Sequence, residues 1–353
     1  MLNSMTGHKD LWSYLRIVRK PIVMYGMGNG ADKIIAVLER YGSAVSDYFA
    51  SDGFVRGHSF RGKKVLTFSE IREKYDDFII LLSFGTSRPE VLEKIYALNE
   101  EYEMYAPDVP VAGGDIFDHG FYTAHKNEFD EARALLADER SRSLFDDVIA
   151  YKLSGSIDHL RRHLSTKAEI YELAGVKECR RYIDLGAYTG DTIREIFEYG
   201  GSPEFIVALE PDPKNFKKLS AFANEYKNVT AINAGAWSVD SLMSFHVEGN
   251  RNSSVSEEGR RVQMLALDGV KEAHGADLIK LDVEGCEREA LLGCRDIIKE
   301  SSSPALIVSA YHRSGDLFEL TRLIHETDPE YKIYLRRLEG VPAWDLYLVA
   351  VKD

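Results

Sequence analysis

Two blocks in which short apolar runs alternate with amphipathic segments constrain this fold more than any other feature of the sequence. In the first block, which starts at residue 21, the apolar runs PIVMYG and DFIILLSFG are separated by segments with helical spacing such as ADKIIAVLERYG. The second block starts at RRYIDLGAYTG and provides seven candidate strands up to DLYLVAVKD. Strands that alternate with helices require crossover connections and form mostly parallel sheets. The sequence therefore predicts the α/β class.

The two blocks divide the chain of 353 residues into three parts. We predict a Rossmann-like α/β domain over residues 1–120. Residues 121–178 are predicted to form a helical connector, because EFDEARALLADERSRSLFDDVIAYKL has helical spacing. Residues 179–353 are predicted to form a second Rossmann-like domain with a seven-stranded sheet. Between the third and fourth strands of that domain, two extended segments flank a polar Asn, Ser and Gly loop, which indicates an inserted hairpin.

Charge, cysteine content and hydropathy argue against several classes of function. A net charge of −13 repels phosphate backbones and anionic membranes, so we expect no nucleic-acid partner. The three cysteines have no CxxC spacing, which argues against a disulfide framework or a zinc site and favours the cytoplasm. The longest apolar run, FIILLSF, is far shorter than the about 20 residues that cross a bilayer, so no transmembrane segment is expected. Acids at the ends of strands can hold Mg²⁺, but no motif fixes a metal ion, and none is predicted.

Three candidate strands of the second block end in acidic residues. Asp184 ends the first strand, Glu210 ends the second, and Asp282 with Glu284 follows the fourth. In a doubly wound sheet the ligand binds beyond the carboxyl ends of the strands, near the point where the strand order reverses. We therefore expect these acids around one ligand site.

The turn after the first of these strands narrows the choice of ligand. Gly186 and Gly190 allow the backbone to approach a ligand closely, and Thr192 begins a helix. Tyr188 stands where the dinucleotide motif GxGxxG requires a further glycine, so a pyrophosphate site is poorly supported. Glu210 has the position of a carboxylate that accepts hydrogen bonds from ribose hydroxyls. A nucleoside ligand without bridging phosphates fits best, and S-adenosylmethionine is such a ligand.

Five segments of the second block resemble one family in their order and spacing: YIDLGAYTGDT, ALEPDPKNFKKL, INAGAWS, MLALDGV and LIKLDVEGCEREALLG. They are similar to the FkbM-type S-adenosylmethionine-dependent methyltransferases, and the resemblance extends from about residue 180 to the end of the chain. It implies a class I methyltransferase fold with seven strands and an antiparallel last pair. It also implies S-adenosylmethionine as the cofactor and methylation of an oxygen on a sugar, a glycan or another hydroxylated small molecule.

The resemblance also assigns cofactor contacts to single residues. The turn after the first strand would contact the amino-acid end of the cofactor, Glu210 its ribose, and Ala236 with Trp237 its adenine. The predicted cofactor-binding residues are Asp184, Gly186, Tyr188, Gly190, Thr192, Glu210, Ala236 and Trp237. A tryptophan that follows a strand is more often part of a hydrophobic core than a stacking surface for a base, so both interpretations of Trp237 stay open.

Two residues at the ends of the fourth and fifth strands are candidates for the proton acceptor in a methyl transfer to oxygen. They are Asp282 and His312, and the topology places both at the edge of the ligand crevice. His312 has the more suitable ordinary pKa, about 6.5, whereas Asp282 would need its pKa raised from about 3.9. Asp282 and Glu284 have an alternative interpretation as caps of the following helix. The choice between the two catalytic candidates stays open.

The first block contains a possible nucleotide site. A GxGxxA motif lies after a strand and before a helix, and its residues are Gly26, Gly28 and Ala31. Asp52 follows the next strand, where a dinucleotide fold has its ribose-binding acid. The continuation SDGFVRGHSFRGKKVLTFSEI resembles nucleotide-sugar-binding domains, in which Arg56 and Arg61 would contact phosphates. The alternative is a Rossmann-like domain that only supports assembly.

Two further functions stay open. Tyr122 and Lys126 in YTAHK have the Tyr-x-x-x-Lys spacing of short-chain NAD-dependent dehydrogenases and epimerases that act on sugars. A chain with 19 tyrosines also produces this spacing by chance. The first block alone would suit a non-catalytic nucleotide-sugar-binding protein. Neither the methyl acceptor nor the oligomeric state follows from a transferable sequence code.

Overall fold

The computed structural model describes residues 8–51, 55, 57–246, 254–255, 260–300 and 304–352. Its strands form a six-stranded sheet, a four-stranded sheet and a seven-stranded sheet. The six-stranded sheet lies in the N-terminal part of the chain and the other two lie in the C-terminal part, with helices between them. Among these residues, no helix has the length and apolar character that crossing a bilayer requires. The predicted α/β class is confirmed.

The N-terminal part contains α1 (Leu11–Ile17), β1 (Ile22–Tyr25), α2 (Asn29–Arg40), β2 (Asp47–Phe49), β3 (Ser59–Phe60), β4 (Lys63–Leu66), α3 (Phe68–Lys74), β5 (Ile79–Leu82), α4 (Pro89–Glu101) and β6 (Glu103–Tyr105). Its sheet has the order β3-β4-β2-β1-β5-β6 and is parallel except for the β3–β4 pair. β1 and β5 are buried along their whole length, which explains their continuous apolar sequences. β3, β4 and β6 are short strands that the sequence alternation did not indicate.

The predicted connector is helical. It contains α5 (His119–Ala124), α6 (Lys126–Leu135), α7 (Glu139–Ser154), a 3₁₀ helix at Ile157–Arg161 and α8 (Lys167–Leu173). Phe129 and Phe145 belong to the core of the seven-stranded sheet, whereas Tyr151 and Leu160 share a core with Ile80 of the N-terminal sheet. The connector therefore contributes to the cores of both large sheets, and the predicted domain limits stay predictions.

The C-terminal part continues with β7 (Arg181–Leu185), α9 (Asp191–Glu198), β8 (Phe205–Leu209), α10 (Pro213–Ala223), β9 (Val229–Ile232), β10 (Gly235–Ala236), β11 (Ser241–His246), β12 (Ser254–Val255), β13 (Arg260–Leu265), β14 (Leu278–Leu281), α11 (Glu287–Leu292), α12 (Arg295–Ile298), β15 (Ala305–Ser309), α13 (Asp316–Thr327), β16 (Lys332–Arg337) and β17 (Leu346–Val351). Seven of these strands form the large sheet in the order β16-β17-β15-β14-β7-β8-β9. β17 is antiparallel to both of its neighbours, and the other pairs are parallel. The seven strands and the antiparallel last pair that the resemblance implies are confirmed.

The inserted hairpin that the sequence predicts is present in the four-stranded sheet. β11 and β13 pair antiparallel, with Leu242 opposite Gln263. β10 pairs with β13 and β12 pairs with β11 at the two sides of this hairpin. Because β10 follows β9 closely in the chain, the small sheet begins beside the carboxyl end of a strand of the large sheet.

The strand order reverses between β7 and β14. These strands are neighbours in the sheet, although β8 to β13 lie between them in the chain. A crevice forms at such a reversal, beyond the carboxyl ends of the strands. The residues that follow β7, β8 and β14 therefore meet at one crevice.

The loop after β5 attaches the N-terminal sheet to the loop between β16 and β17. The backbones of Thr86 and Val341 exchange two hydrogen bonds, with N···O distances of 2.8 and 3.0 Å. Gly85 packs so closely on Trp344 that a β carbon at this position would lie 2.2 Å from the indole ring. Val341 is buried in the same core as Ile80 of the N-terminal sheet. The N-terminal part is thus held against the large sheet by both backbone pairing and apolar packing.

Candidate active site

A cleft of about 440 Å³ lies at the carboxyl ends of β7, β8 and β14. Gly186 and Tyr188 follow β7 into the cleft, Glu210 follows β8, and Asp282 with Glu284 follows β14. Tyr311 follows β15, and Tyr347 lies in β17. The loop after β5 and the loop between β16 and β17 contribute further lining residues: Ser87, Leu338, Glu339 and Asp345. The N-terminal part and the C-terminal sheet therefore both contribute to its walls.

Most of the site residues predicted from the sequence come together here. The predicted cofactor-binding residues that line the cleft are Gly186, Tyr188, Thr192, Glu210 and Ala236. Those that do not line it are Asp184, Gly190 and Trp237. Of the two catalytic candidates, Asp282 lines the cleft and His312 does not.

Both glycines of the predicted turn have backbone conformations that favour glycine. Gly186 has a φ of 83°, and a β carbon there would lie 1.9 Å from the carbonyl oxygen of Asp282. Gly190 has a φ of 85° and packs against the ring of Phe222, which would lie 2.5 Å from a β carbon. Gly186 therefore allows the ends of β7 and β14 to meet, and Gly190 allows α9 to start close to α10.

Glu210 is held by two backbone amides. The amide of Tyr188, a residue with an unusual positive φ of 47°, donates to Oε2 at 2.9 Å. The amide of Asp212 donates to Oε1 at 2.8 Å. Burial raises the pKa of Glu210 to about 7, although the two amides oppose the shift. Each carboxylate oxygen has a second lone pair, so Glu210 can also accept hydrogen bonds from hydroxyl groups in the cleft.

Lys280 is a charged residue inside β14 that connects Asp184 to the cleft. Its Nζ lies 3.4 Å from Oδ1 of Asp184 and 3.8 Å from Oδ2 of Asp282. Burial raises the pKa of Asp184 to about 6, against the opposing effect of the ammonium group. Burial lowers the pKa of Lys280, but the carboxylates outweigh it and raise this pKa. Asp184 thus lies behind the wall of the cleft and contacts Lys280, which lines the cleft. Lys280 is not among the residues predicted from the sequence.

Trp237 fits the core interpretation and not the adenine contact. It packs against Val262 and Met264 of the small sheet. Its amide donates to the carbonyl oxygen of Leu265 at 2.9 Å. The neighbouring Ala236 is buried and lines the cleft, so of this pair only the alanine faces the crevice.

Asp282 lies at the cleft and His312 lies behind it. The side chain of Asp282 is 28% exposed, whereas that of His312 is 1% exposed. Burial lowers the pKa of His312, but the carboxylates of Glu287, Asp282 and Glu284 outweigh this effect and raise the pKa to about 10. The imidazole therefore carries a proton at neutral pH, which is the reverse of the expectation that His312 is a free base with an ordinary pKa.

Backbone strain is concentrated around this cleft. Among the described residues, five non-glycine positions have a positive φ, and Tyr188, Glu284 and Asp345 of these line the cleft. Such conformations occur most often at functional sites. Cys286 also lines the cleft, but burial raises the pKa of its thiol to about 12, which keeps it protonated and weakly nucleophilic.

The candidate nucleotide site of the N-terminal part is only partly described. Gly26 and Gly28 have positive φ values between β1 and α2, as the predicted motif requires, whereas Asp52 and Arg56 lie outside the described residues. Arg61 forms ion pairs with Asp32 and Glu39. These ion pairs neutralise the guanidinium group that was expected to bind phosphates. A second cleft of about 330 Å³ lies at the ends of β1 and β2 and is lined by Tyr25, Phe49, Ala50, Ser51, Phe68, Lys94, Ala97, Leu98 and Glu101.

The Tyr-x-x-x-Lys pair does not form a site. Tyr122 lies in α5 and packs against Phe117 and Phe129. Lys126 begins α6 and pairs with Asp130 at 2.5 Å. Neither residue lines the cleft at the sheet ends, so the geometry gives no support to a short-chain dehydrogenase.

Residues 184–332 match the family model of the methyltransferase FkbM domain. The chain carries an FkbM methyltransferase domain. The matched residues include the ends of β7, β8, β14 and β15, and therefore most of the positions that follow a strand into the cleft. No curated protein matches the sequence of the chain.

The fold of the whole chain, including its FkbM domain, is similar to that of a solved structure. The methyltransferase FkbM from Methylobacillus flagellatus is 20% identical, with a TM-score of 0.73, and the match covers 94% of this chain and 90% of that one. A precorrin-6y methyltransferase from Geobacter metallireducens is 15% identical, with a TM-score of 0.34, over 54% of this chain and 92% of that one. Fibrillarin from Aeropyrum pernix, solved with natively bound S-adenosyl-L-methionine, is 14% identical, with a TM-score of 0.36, over 52% and 74%. The first match shows that the fold extends over the N-terminal part as well as the FkbM domain.

Proposed function

We propose that this protein uses S-adenosylmethionine to methylate a hydroxyl group of a sugar, a glycan or another small hydroxylated molecule. The observation that carries the proposal is the buried carboxylate of Glu210 at the end of β8, beside the Gly186 turn in a methyltransferase FkbM domain. The described cysteines are all free, which fits the cytoplasm as the compartment.

The cleft fits S-adenosylmethionine in size and charge. Its volume lies within the about 300–1,000 Å³ of small-molecule sites. Glu210 can accept hydrogen bonds from the ribose hydroxyls, while Gly186 and Ala236 leave room along the cleft wall. The carboxylate of Asp191 also lines the cleft and favours a cofactor that carries an ammonium and a sulfonium group, whereas that of Glu195 is paired with Lys167.

Asp282 is the residue that we propose for removing the hydroxyl proton, because its carboxylate lines the cleft and His312 does not. When bound, S-adenosylmethionine supplies a methyl group on a positively charged sulfur. Transfer would form a bond between the acceptor oxygen and the methyl carbon and break the carbon–sulfur bond, with the bonding pair left on sulfur, and Asp282 would take the hydroxyl proton. Alignment of the reacting atoms can supply about 7–11 kcal/mol, whereas a general base supplies about 3–5 kcal/mol. Positioning by the cleft is therefore the larger contribution.

The direct test is a ligand comparison on the full chain. S-adenosylmethionine and S-adenosylhomocysteine are expected to raise the melting temperature and to bind with a stoichiometry of one in calorimetry, because a ligand of the folded state stabilises it. NAD and UDP-sugars are the matched alternatives. Stabilisation by NAD with no response to either adenosyl compound would overturn the proposal in favour of a dehydrogenase.

Replacing Glu210 with alanine is expected to weaken S-adenosylmethionine binding about 10- to 150-fold, because a charge-assisted hydrogen bond contributes about 1.5–3 kcal/mol. Calorimetric titration measures the loss. Glu225→Ala is the matched control, since Glu225 is an exposed acid of the same domain that lies outside the cleft. An unchanged affinity in the Glu210 variant would contradict the ribose assignment.

The affinity for S-adenosylmethionine is expected to rise with pH through about 7 and to level off about one pH unit above it. The pKa of Glu210 in the free protein is raised to about 7, so the carboxylate is mostly protonated below this pH and ionised above it. The ionised form is the better acceptor for ribose hydroxyls. Titrations in the range of about pH 5.5 to 8 measure the effect, and Glu210→Gln should flatten the profile. A profile that Glu210→Gln leaves unaltered would assign the titration to another group, such as Asp184.

A nucleotide-sugar site in the N-terminal part is a second candidate function. It is supported by the cleft of about 330 Å³ at the ends of β1 and β2, next to the turn that contains Gly26 and Gly28. Such a site would bring a sugar substrate to the same chain. UDP-sugar titration of the Ser51→Ala variant against the unaltered protein tests this placement, because Ser51 lines that cleft.

A further inference from the structure

Four ionisable side chains meet where β14 and β15 end. Nε2 of His312 lies 3.6 Å from Oδ1 of Asp282 and 3.6 Å from Oε2 of Glu284. Nδ1 of His312 lies 2.9 Å from Oε1 of Glu287. One ligand atom each of Asp282, Glu287 and His312 lies within 4.8 Å of the other two. We propose that this cluster binds a divalent first-row metal ion.

The cluster holds more negative than positive charge. Its three carboxylates surround one imidazole, and the ammonium of Lys280, 3.8 Å from Asp282, is shared with Asp184. The carboxylates therefore outnumber the cations even when the imidazole is protonated. Glu287 and His312 are each 1% exposed, whereas Asp282 and Glu284 are 28% and 30% exposed, so water compensates only part of the excess. Unbalanced charge at this depth is costly, and a bound cation removes the imbalance.

Glu287 provides an independent observation that points to a ligand. Its Oε1 accepts hydrogen bonds from the amides of Val283 and Gly285, at 3.0 and 3.3 Å. Its Oε2 is buried and has no hydrogen-bond partner among the described residues. Buried polar atoms nearly always have a partner, and a carboxylate oxygen without one is especially unfavourable. A metal ion held by the set of Asp282, Glu287 and His312, whose ligand atoms lie within 4.8 Å of one another, would give Oε2 of Glu287 the missing interaction.

The spacing and the ligand types suit a transition-metal ion with nitrogen and oxygen ligands. Bonds from such ions to nitrogen or oxygen are about 2.0–2.2 Å long, so two ligands of one ion lie at most about 4.4 Å apart. The two 3.6 Å separations, from Nε2 of His312 to Asp282 and Glu284, satisfy this limit. The ligand atoms of Asp282, Glu287 and His312 lie within 4.8 Å of one another, so they must approach by at most about 0.4 Å to hold one ion. One imidazole combined with carboxylates suits Mn²⁺ or Zn²⁺ better than the all-oxygen sites of Ca²⁺. The ion would replace the proton on His312, since a metal-bound imidazole is neutral.

The ion would face the cleft, because Asp282 and Glu284 line it. A metal ion in that position can hold the hydroxyl oxygen of an acceptor and lower the pKa of the hydroxyl. Metal binding rests on the cluster alone, whereas this catalytic use of the ion rests on the proposed methyl transfer.

The experiment is a Mn²⁺ titration of the full-length protein after treatment with a chelator. Calorimetry and the loss of the free Mn²⁺ signal in electron paramagnetic resonance are expected to show one saturable site per chain. Asp282→Asn and Glu287→Gln are expected to weaken binding at least about 10-fold. Glu287→Gln keeps an oxygen that accepts hydrogen bonds from the amides of Val283 and Gly285. Asp282→Asn changes a partly exposed residue. If one variant does not fold, the other still tests the metal site. Glu289→Gln, in the same helix but hydrogen-bonded to Ser238, is the control and should bind normally.

Absence of a saturable Mn²⁺ site, or equal affinity in both variants and the unaltered protein, would overturn the metal proposal. The same samples are titrated with S-adenosylmethionine, so that the two proposals are separated. Cofactor binding without Mn²⁺ binding removes the metal site and leaves the proposed function. Binding of Mn²⁺ without S-adenosylmethionine binding leaves the metal site and contradicts the proposed function.

Discussion

Gly186→Ala is expected to lower the free energy of unfolding by about 2–5 kcal/mol and to abolish measurable S-adenosylmethionine binding. A β carbon at Gly186 would lie 1.9 Å from the carbonyl oxygen of Asp282, which is backbone and cannot rotate away. The φ of 83° adds the strain of a left-handed conformation, about 1–2 kcal/mol, to an overpacking cost of about 1–3 kcal/mol. Relief requires the ends of β7 and β14 to separate, which displaces both Tyr188 and Asp282 in the cleft. Chemical denaturation and calorimetric titration measure the two effects.

Gly200→Ala is the control that separates the cost of backbone strain from the cost of the steric clash at Gly186. Gly200 has a φ of 87°, nearly that of Gly186, but a β carbon there would meet only Lys177 side-chain carbons at 3.8 Å. This variant should therefore lose about 1–2 kcal/mol of stability and keep its affinity for the cofactor. Equal losses of stability and affinity in both variants would show that the close approach at Gly186 has no special role.

The large sheet could be predicted from the sequence because its signals are local. Each C-terminal candidate run became a strand of the seven-stranded sheet, and its buried strands, such as Phe205–Leu209, have continuous apolar sequences. The short strands Ser59–Phe60 and Glu103–Tyr105 carry too few residues to form a periodic pattern. Ser59–Phe60 pairs with β4 in a tight hairpin, and Glu103–Tyr105 pairs with β5 on the other side of α4, and a periodic pattern records neither pairing.

The site could be predicted only where its residues directly follow a strand. Gly186, Glu210 and Asp282 were found because the ends of parallel strands converge at one edge of the sheet. Lys280 had a signal, since a lysine inside the apolar run LIKLD needs a buried partner, but its partner Asp184 is far away in the chain. Ser87 had none, because it reaches the cleft through the pairing of Thr86 with Val341.

The same limit explains the outcome at His312. Its position at the end of β15 was correctly inferred, but its burial and its three acidic neighbours come from α11 and the loop before it. A sequence pattern gives the ordinary pKa of a histidine, whereas the surrounding carboxylates raise the pKa of His312 to about 10. The protonation state of His312 is thus set by carboxylates that lie elsewhere in the chain, and not by the sequence next to it.

Asp282→Asn is expected to slow the methyl-transfer step about 10²- to 10⁴-fold while the affinity for S-adenosylmethionine stays within about threefold. The substitution keeps the size of the side chain and removes the charge that would take the hydroxyl proton or hold a metal ion. The cofactor contacts that we propose lie with Glu210 and the Gly186 turn, so binding should survive. Transfer of a labelled methyl group to a panel of sugars identifies an acceptor, which then serves in single-turnover measurements at saturating cofactor.

Glu289→Gln again serves as the control, because Glu289 lies in α11 near Asp282 in sequence but bonds to Ser238 outside the cleft lining. Addition of Mn²⁺ distinguishes the two roles of Asp282, as a general base or as a metal ligand. If the carboxylate acts through a metal ion, saturating Mn²⁺ should restore part of the lost rate in Asp282→Asn, since Glu284, Glu287 and His312 remain as ligands. If it acts only as a base, added Mn²⁺ leaves the variant slow. Full-rate transfer in Asp282→Asn without added metal would contradict both roles and leave alignment of the reacting atoms as the source of the rate.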